Sequence, residues 1–224
     1  SEFGLERFHT TLIKQGEFLS MLEDRNLRTV IDIGANVGNV SLAVNCLFPK
    51  AKIYAIEPIL DIYQILKKST ANIKNVYTFP LAISNTAREV TMLYDKKNPE
   101  GSLVLNKLVK FKGRKIRVKA LTLDQFLKQN NIKKVDYLKI DVESFEKNVL
   151  LGASTTLENV HYLCLEIQAT EYTNYTFSEL VGMLHSSKYN FQLLKFHEYP
   201  TNLKKTFTLA DCLFENIKFR QNKD

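Results

Sequence analysis

The residues with the clearest chemical meaning lie in a turn near the start of the chain. Asp32 belongs to the short apolar run 29–33, and Gly34 and Gly38 follow it. A glycine lets the backbone approach a ligand without a Cβ in the way, and a helix that begins there adds free N–H groups. The turn therefore predicts a site for a nucleotide-like ligand.

The spacing of the two glycines separates two kinds of nucleotide site. A dinucleotide fold requires Gly-x-Gly-x-x-Gly, but Asn36 stands where the middle glycine would be, so a nicotinamide dehydrogenase is the least favoured class. The turn resembles instead the Asp/Glu-x-Gly-x-x-x-Gly sequence of methyltransferases that use S-adenosylmethionine (SAM). On this resemblance Asp32 and Gly34 border the methionine part of SAM, and the rest of the cofactor turn is Ala35, Asn36 and Gly38.

An acidic residue follows the next apolar run. Glu57 comes directly after residues 52–56 and lies 23 positions past Gly34, close to the ~20 residues typical of a ribose-binding acid. A carboxylate there can accept both hydrogen bonds of a ribose diol, so Glu57, with Pro58 beside it, is predicted to bind the ribose. Ala82, Ile83 and Ser84 come shortly after the third apolar run, 76–79, and are predicted from this position to flank the adenine.

The elements that position these residues alternate between strand and helix patterns. A β-α-β-α-β order predicts a parallel sheet with right-handed crossovers. We therefore expect an α/β, Rossmann-like class I methyltransferase fold, with a mostly parallel seven-stranded sheet, helices on both faces and a β-rich insertion. The predicted strands are 29–33, 52–56, 76–79, 135–141 and 161–167, with 89–94 and 115–120 in the insertion and an antiparallel pair, 190–198 and 206–214, at the end. The predicted helices are 40–48, 59–70, 122–129, 144–151 and 177–186, with one or two more within 5–26.

Several stretches together resemble the FkbM family of SAM-dependent methyltransferases, from about Thr29 to Ile167 and more loosely to Phe214. The matching segments are 30–38 (VIDIGANVG), 54–58 (YAIEP), 121–124 (LTLD) and 135–146 (VDYLKIDVESFE), continuing to 149–152 (VLLG). The resemblance implies O-methylation of a hydroxyl group on a small metabolite, such as a polyketide, or on a sugar or glycan. Ser144 departs from the family, whose members usually carry glycine there, and this bears on the acceptor more than on the cofactor.

The reaction centre is predicted at the end of the strand 135–141. Lys139 and Asp141 point to one face by the two-residue period of a strand, and Asp141 ends the strand, where the transferred methyl group is expected. Asp141 is the candidate base or acceptor-orienting group and also borders the cofactor, and Lys139 is predicted to stabilise developing charge. Magnesium binding by Asp141, Glu143 and Glu166 stays open, because magnesium takes oxygen ligands, but the prediction is a site without metal.

The charge of the chain leaves the acceptor class open. The net charge of +7 and the pI of about 9.2 would suit an anionic partner such as nucleic acid. The densest basic run, 107–119, alternates like a surface strand and contains no nucleic-acid motif, so a lysine-rich solvated exterior is favoured. An RNA ribose or cap methyltransferase remains an alternative, and so does a non-catalytic SAM-binding module of a larger assembly.

The remaining features set the expected cellular context. Three cysteines without metal-ligand spacing, Cys46, Cys164 and Cys212, indicate free thiols in a reducing compartment, so a cytoplasmic location is expected. No apolar run approaches the ~20 residues of a membrane span. Residues 1–3 lack an initiator Met and resemble a cloning remnant, and we expect residues 1–224 to form one domain. The pattern makes no prediction of oligomeric state.

Overall fold

The computed structural model describes residues 16–22, 25–94, 113–168, 173–198 and 209–220. Residues 16–20 are helical and form α1, the described part of the helices predicted within 5–26. Four predicted features lie wholly or partly outside the described residues: the remnant 1–3, the start of the N-terminal helices, residues 107–112 of the basic run, and residues 206–208 of the last strand.

Seven strands form the main sheet. They are β1 (Thr29–Ile33), β2 (Lys52–Ile56), β3 (Val76–Phe79), β7 (Val135–Ile140), β8 (Val160–Gln168), β9 (Phe191–Glu198) and β10 (Leu209–Asn216). Their order across the sheet is β3-β2-β1-β7-β8-β10-β9. All neighbouring pairs are parallel except those that β10 makes with β8 and β9, which are antiparallel. This confirms the mostly parallel sheet and the antiparallel pair at its end.

Helices cover both faces of this sheet because its central strands are apolar on both sides. Ile31 and Ile140 belong to one core cluster, which includes side chains of α4 (Leu123–Gln129), α5 (Glu146–Leu151) and α6 (Phe177–Leu184). Val30 and Tyr137 belong to a second cluster, which includes side chains of α1 and α2 (Asn39–Leu47). Between β2 and β3 runs α3 (Leu60–Ser69). The predicted helices on both faces are thereby confirmed.

The β-rich insertion is a second, three-stranded sheet. Its strands are β4 (Ala82–Ile83), β5 (Glu89–Tyr94) and β6 (Arg114–Leu121), in the order β4-β6-β5. Met92, Tyr94 and Val118 of this sheet pack against Ile59 and Ile62, at the start of α3. The insertion therefore lies beside the segment that follows β2, which carries Glu57.

The parallel arrangement brings the predicted site residues to one edge of the main sheet. The carboxyl ends of neighbouring parallel strands meet at the same edge, so the segments after β1, β2 and β7 and the end of β8 lie together there. Of the helices that the structure describes, none has the length and the apolar composition needed to cross a membrane.

Candidate cofactor and acceptor site

The turn after β1 is held by close backbone contacts that only glycine allows. Gly34 has φ +79°, and a Cβ there would lie 1.8 Å from the Asp141 carbonyl oxygen. The N–H groups of Gly34 and Ala35 both donate to the Ile56 carbonyl at 3.0 Å. Gly38 begins α2 with φ +101°, a left-handed conformation that favours glycine. The turn therefore touches the ends of both neighbouring strands, β2 and β7.

Asp32 is fully buried beneath this turn, and one of its oxygens lacks a hydrogen-bond partner among the described residues. Its Oδ2 accepts a 2.7 Å hydrogen bond from Ser41 Oγ, whereas its Oδ1 has no partner among the described residues. Burial raises the pKa of Asp32, and the nearby charge of Lys139 opposes that rise. Buried polar atoms are nearly always hydrogen-bonded, so a donor such as the ammonium group of the methionine part of SAM fits this oxygen.

Glu57 joins the turn to the end of β2. It is 5% exposed, and its Oε1 and Oε2 accept hydrogen bonds from the backbone N–H of Ile59 (2.8 Å) and of Asn36 (3.1 Å). Burial raises its pKa to about 7, although both backbone bonds lower it. Because each carboxylate oxygen can accept a second hydrogen bond, Glu57 is fixed in place and retains the capacity to bind a ribose diol.

The residues predicted beside the adenine lie in the junction between the two sheets. Ser84 N–H donates to the Leu121 carbonyl at 2.9 Å, and a Cβ on Gly152 would lie 2.1 Å from the Ser84 carbonyl oxygen. Ile83 belongs to the main core, whereas Ala82 is half-buried against the insertion. The side chain of Ile83 is thus used for packing and the backbone of Ser84 for contacts with Leu121 and Gly152, and contact of this segment with adenine stays a prediction.

Lys139 and Asp141 form a partly buried ion pair at the end of β7. Lys139 Nζ lies 2.7 Å from Asp141 Oδ2, and the exposed fractions of the two side chains are 3% and 28%. In the register of the parallel strands, Lys139 on β7 also stands across from Asp32 on β1. Burial alone would lower the pKa of Lys139, but the carboxylates of Asp141 and Asp32 outweigh it and hold that pKa above its usual value. The buried cation is thus ion-paired with Asp141 of the predicted reaction centre and stands across from Asp32, which is predicted to border the methionine part of SAM.

A second group of polar side chains stands beside Asp141. One oxygen each from Asp141, Glu143 and Glu166 lies within 4.8 Å of the others, a separation at which three carboxylates can share a divalent cation. Gln168 Nε2 donates to Glu143 Oε2 at 2.8 Å and to Glu166 Oε2 at 3.2 Å. Burial, followed by the charge of Asp141, raises the pKa of both glutamates.

Three residues of the site were missed by the sequence reasoning. Gln168 lies two positions after Glu166 in β8, so the two-residue strand period was a signal that could have found it. Glu146 is fully buried and accepts hydrogen bonds from the Val142 N–H (3.1 Å) and the Tyr175 hydroxyl (2.5 Å). Burial raises the pKa of Glu146 to about 7. Glu146 and Tyr175 are 29 positions apart, and no local pattern links them.

The comparison with protein families identifies this arrangement. The family model described as the methyltransferase FkbM domain matches residues 32–193, from Asp32 in β1 into β9. The chain belongs to the FkbM methyltransferase family. The cofactor of this FkbM methyltransferase is accordingly SAM, and the buried free oxygen of Asp32, the glycine turn and Glu57 fit that cofactor.

Characterised relatives share only a modest part of the sequence. The chain is 26% identical to the AMB antimetabolite synthetase AmbE of Pseudomonas aeruginosa over 62% of this chain and 8% of AmbE. It is 28% identical to the methyltransferase sdnD of Sordaria araneosa, over 55% of this chain and 59% of sdnD. With the 2-O-methyltransferase NoeI of Sinorhizobium fredii the identity is 23%, over 79% of this chain and 74% of NoeI. The chain thus spans less than two thirds of the length of AmbE and of sdnD.

Solved structures agree on the fold. TrmK of M. capricolum, solved with S-adenosylhomocysteine (SAH), superposes with a TM-score of 0.50 at 12% identity, over 92% of this chain and 71% of that chain. At this identity the likeness concerns the fold alone. Together with the strand order, it shows that the FkbM domain has the class I methyltransferase fold.

Proposed function

We propose that this FkbM methyltransferase is an O-methyltransferase that acts on a hydroxyl group of a small metabolite, a sugar or a glycan. The observation that carries the proposal is the position of Asp141. Its carbonyl oxygen touches the glycine turn at Gly34, and its carboxylate is held by Lys139. A fixed carboxylate therefore lies directly beside the part of the site that fits the methionine end of SAM.

The chain's own residues would orient and deprotonate the acceptor. SAM supplies a methyl group on a sulfonium, whose C–S bonding pair returns to sulfur as the acceptor oxygen bonds to the carbon. Asp141 accepts a hydrogen bond from the acceptor hydroxyl and takes its proton, which increases the electron density on the attacking oxygen. Lys139 keeps the carboxylate of Asp141 in one orientation and stabilises negative charge near the attacking oxygen. Orientation of this kind can contribute a large part of the rate acceleration.

The charge around Asp141 favours an acceptor that is not an anion. Asp141, Glu143 and Glu166 stand together, and the buried cation among them, Lys139, is already paired. A phosphate-rich acceptor would find no unpaired cation among these four side chains, so the local chemistry argues against RNA even though the whole chain is basic. NoeI, by name a 2-O-methyltransferase, supports a hydroxyl acceptor.

The test combines cofactor binding with turnover. We expect SAH to bind with micromolar affinity in a calorimetric titration, and SAH to be released from SAM when a panel of neutral hydroxylated compounds is offered. Asp141→Asn should lower kcat by about 100-fold or more, whereas Glu158→Gln, at a half-exposed position before β8, should not change it. Full activity of Asp141→Asn would refute the base role, and turnover of RNA alone would replace the proposed acceptor class.

A further inference from the structure

Gln168 makes three side-chain hydrogen bonds that connect the loop after β7 to the end of β8. Its Nε2 donates to Glu143 and to Glu166, and its Oε1 accepts a 2.6 Å hydrogen bond from Ser144 Oγ. The side-chain amide is therefore fully engaged, with its oxygen towards the hydroxyl and its nitrogen towards two carboxylates.

The two glutamates determine which way this amide points, and the hydroxyl of Ser144 completes the arrangement. A primary amide has one accepting and one donating end, and a flipped Gln168 would place its oxygen against two carboxylate oxygens. A hydroxyl can donate or accept, so Ser144 suits the orientation that the glutamates select, and its hydrogen bond holds the oxygen end of the amide in place. The hydrogen bonds from Gln168 favour the ionised form of the glutamates, against the effect of burial, and hold the two side chains side by side.

The backbone of this loop supports a specific role for the Ser144 side chain. Ser144 has φ +75° and Glu143 has φ +55°, both in the left-handed region that favours glycine. A glycine at position 144 would adopt this conformation at lower cost. The serine hydroxyl is therefore held in a costly conformation, and in that conformation it reaches Gln168.

We propose that Gln168, anchored by Ser144, is the positioning residue for the acceptor side of this site. It holds Glu143 and Glu166 next to Asp141, so that the acceptor hydroxyl meets carboxylates that are already in place. Gln168 acts through the glutamates and does not itself contact the reacting atoms. This inference rests on the proposed function, because it assigns the acceptor to the side of the site where Asp141 lies.

The experiment separates this role from a general effect on folding. The full chain carrying ¹³C-labelled glutamate carboxyl groups is titrated by NMR with SAH present, and Glu143→Gln and Glu166→Gln assign the two resonances. Gln168→Ala removes the N–H donors, so the midpoints of both glutamates should move to higher pH. Ser144→Ala should move them in the same direction, and the double variant should match Gln168→Ala alone. Gln192→Ala, at an exposed position of β9, is the matched control and should change nothing.

Turnover and stability provide a second readout. With glucose, mannose and N-acetylglucosamine as probes, Gln168→Ala and Ser144→Ala should reduce kcat about tenfold at unchanged SAH affinity. Ser144→Gly should also reduce kcat but should raise the Tm, because it relieves the left-handed backbone. If Ser144 had only a structural role, Ser144→Gly would lower kcat and the Tm together.

Three results would overturn the inference. The first is an unchanged NMR midpoint for both glutamates in Gln168→Ala, and the second is additive effects in the double variant. The third is activity that requires magnesium and is abolished by a chelator, because a cation on the same carboxylates would take the place of the amide donors. If the unmodified protein does not bind SAH, the proposed function is refuted instead. Failure of the inference and failure of the proposed function can therefore be told apart.

Discussion

Gly34 and Asp141 touch across the carboxyl edge of the sheet, since a Cβ at position 34 would lie 1.8 Å from the Asp141 carbonyl oxygen. This contact places the turn of β1 against the segment that carries the candidate base. The cofactor turn and the reaction centre are therefore parts of one packed unit, and a change at either residue should be felt at the other.

Gly34→Ala should unfold or severely destabilise the protein. The added Cβ cannot avoid the Asp141 carbonyl, and φ +79° is itself unfavourable for alanine, so we expect a loss of at least about 2 kcal/mol. Urea denaturation measures it. The control is Gly182→Ala in α6, where a Cβ would meet nothing within 4 Å. That change should raise stability by up to about 1 kcal/mol, and equal effects of the two substitutions would contradict this account.

Lys139→Met should cost about 3 to 5 kcal/mol of stability, because it leaves Asp141 without its ion-pair partner and removes the positive charge that offsets the burial of Asp32. Chemical denaturation at neutral pH tests this expectation. Adding Asp141→Asn to Lys139→Met should restore part of the loss, since one of the uncompensated charges is then removed. A double variant that is less stable than Lys139→Met would show that the ion pair is not the source of the effect.

Glu57→Gln should weaken SAH binding about 10- to 100-fold and cost about 1 to 3 kcal/mol of stability. Both carboxylate oxygens of Glu57 accept hydrogen bonds from backbone N–H groups. The NH2 group of a glutamine would therefore face one of these backbone N–H groups, and two donors cannot form a hydrogen bond with each other. Calorimetric titration gives the affinity. Glu158→Gln, at a half-exposed position before β8, serves as the control, and equal SAH affinities for the two variants would exclude Glu57 from the cofactor site.

The stability of the protein without cofactor should fall as the pH rises from about 5 to about 8. Burial raises the pKa of Glu146 to about 7 from the usual 4.5, so the folded state retains a proton that the unfolded state has lost. The stabilisation from protonated Glu146 is thus complete below pH 4.5 and is lost as the pH rises through about 7. The loss in the free energy of unfolding is at most about 3 kcal/mol for this residue. Thermal denaturation against pH measures it.

Glu146→Gln should flatten this pH dependence, because glutamine can still accept from the Val142 N–H and donate to the Tyr175 oxygen without a charge. Glu57, whose pKa burial also raises to about 7, should account for part of the slope that remains. A slope that is identical in Glu146→Gln and in the unmodified protein would contradict the assignment.

Much of the fold could be predicted because its signals are local. The apolar runs of β1, β2 and β7 and the helices between them follow from short periodic patterns, and parallel strands bring their carboxyl ends to one edge. Asp32, Gly34, Glu57 and Asp141 could therefore be selected from residue type and position alone. The Lys139–Asp141 pair follows from the two-residue period of a single strand.

The sequence by itself thus determined the family, the order of the elements and the residues at the end of each parallel strand, because all of these depend on neighbours in the chain. Only the tertiary structure decided that Ser144 meets Gln168, that Tyr175 caps Glu146, and that Ile83 is used for packing. Such pairs depend on the register between strands and on which loops lie against each other. Those are properties of the packed core, and no local periodicity encodes them.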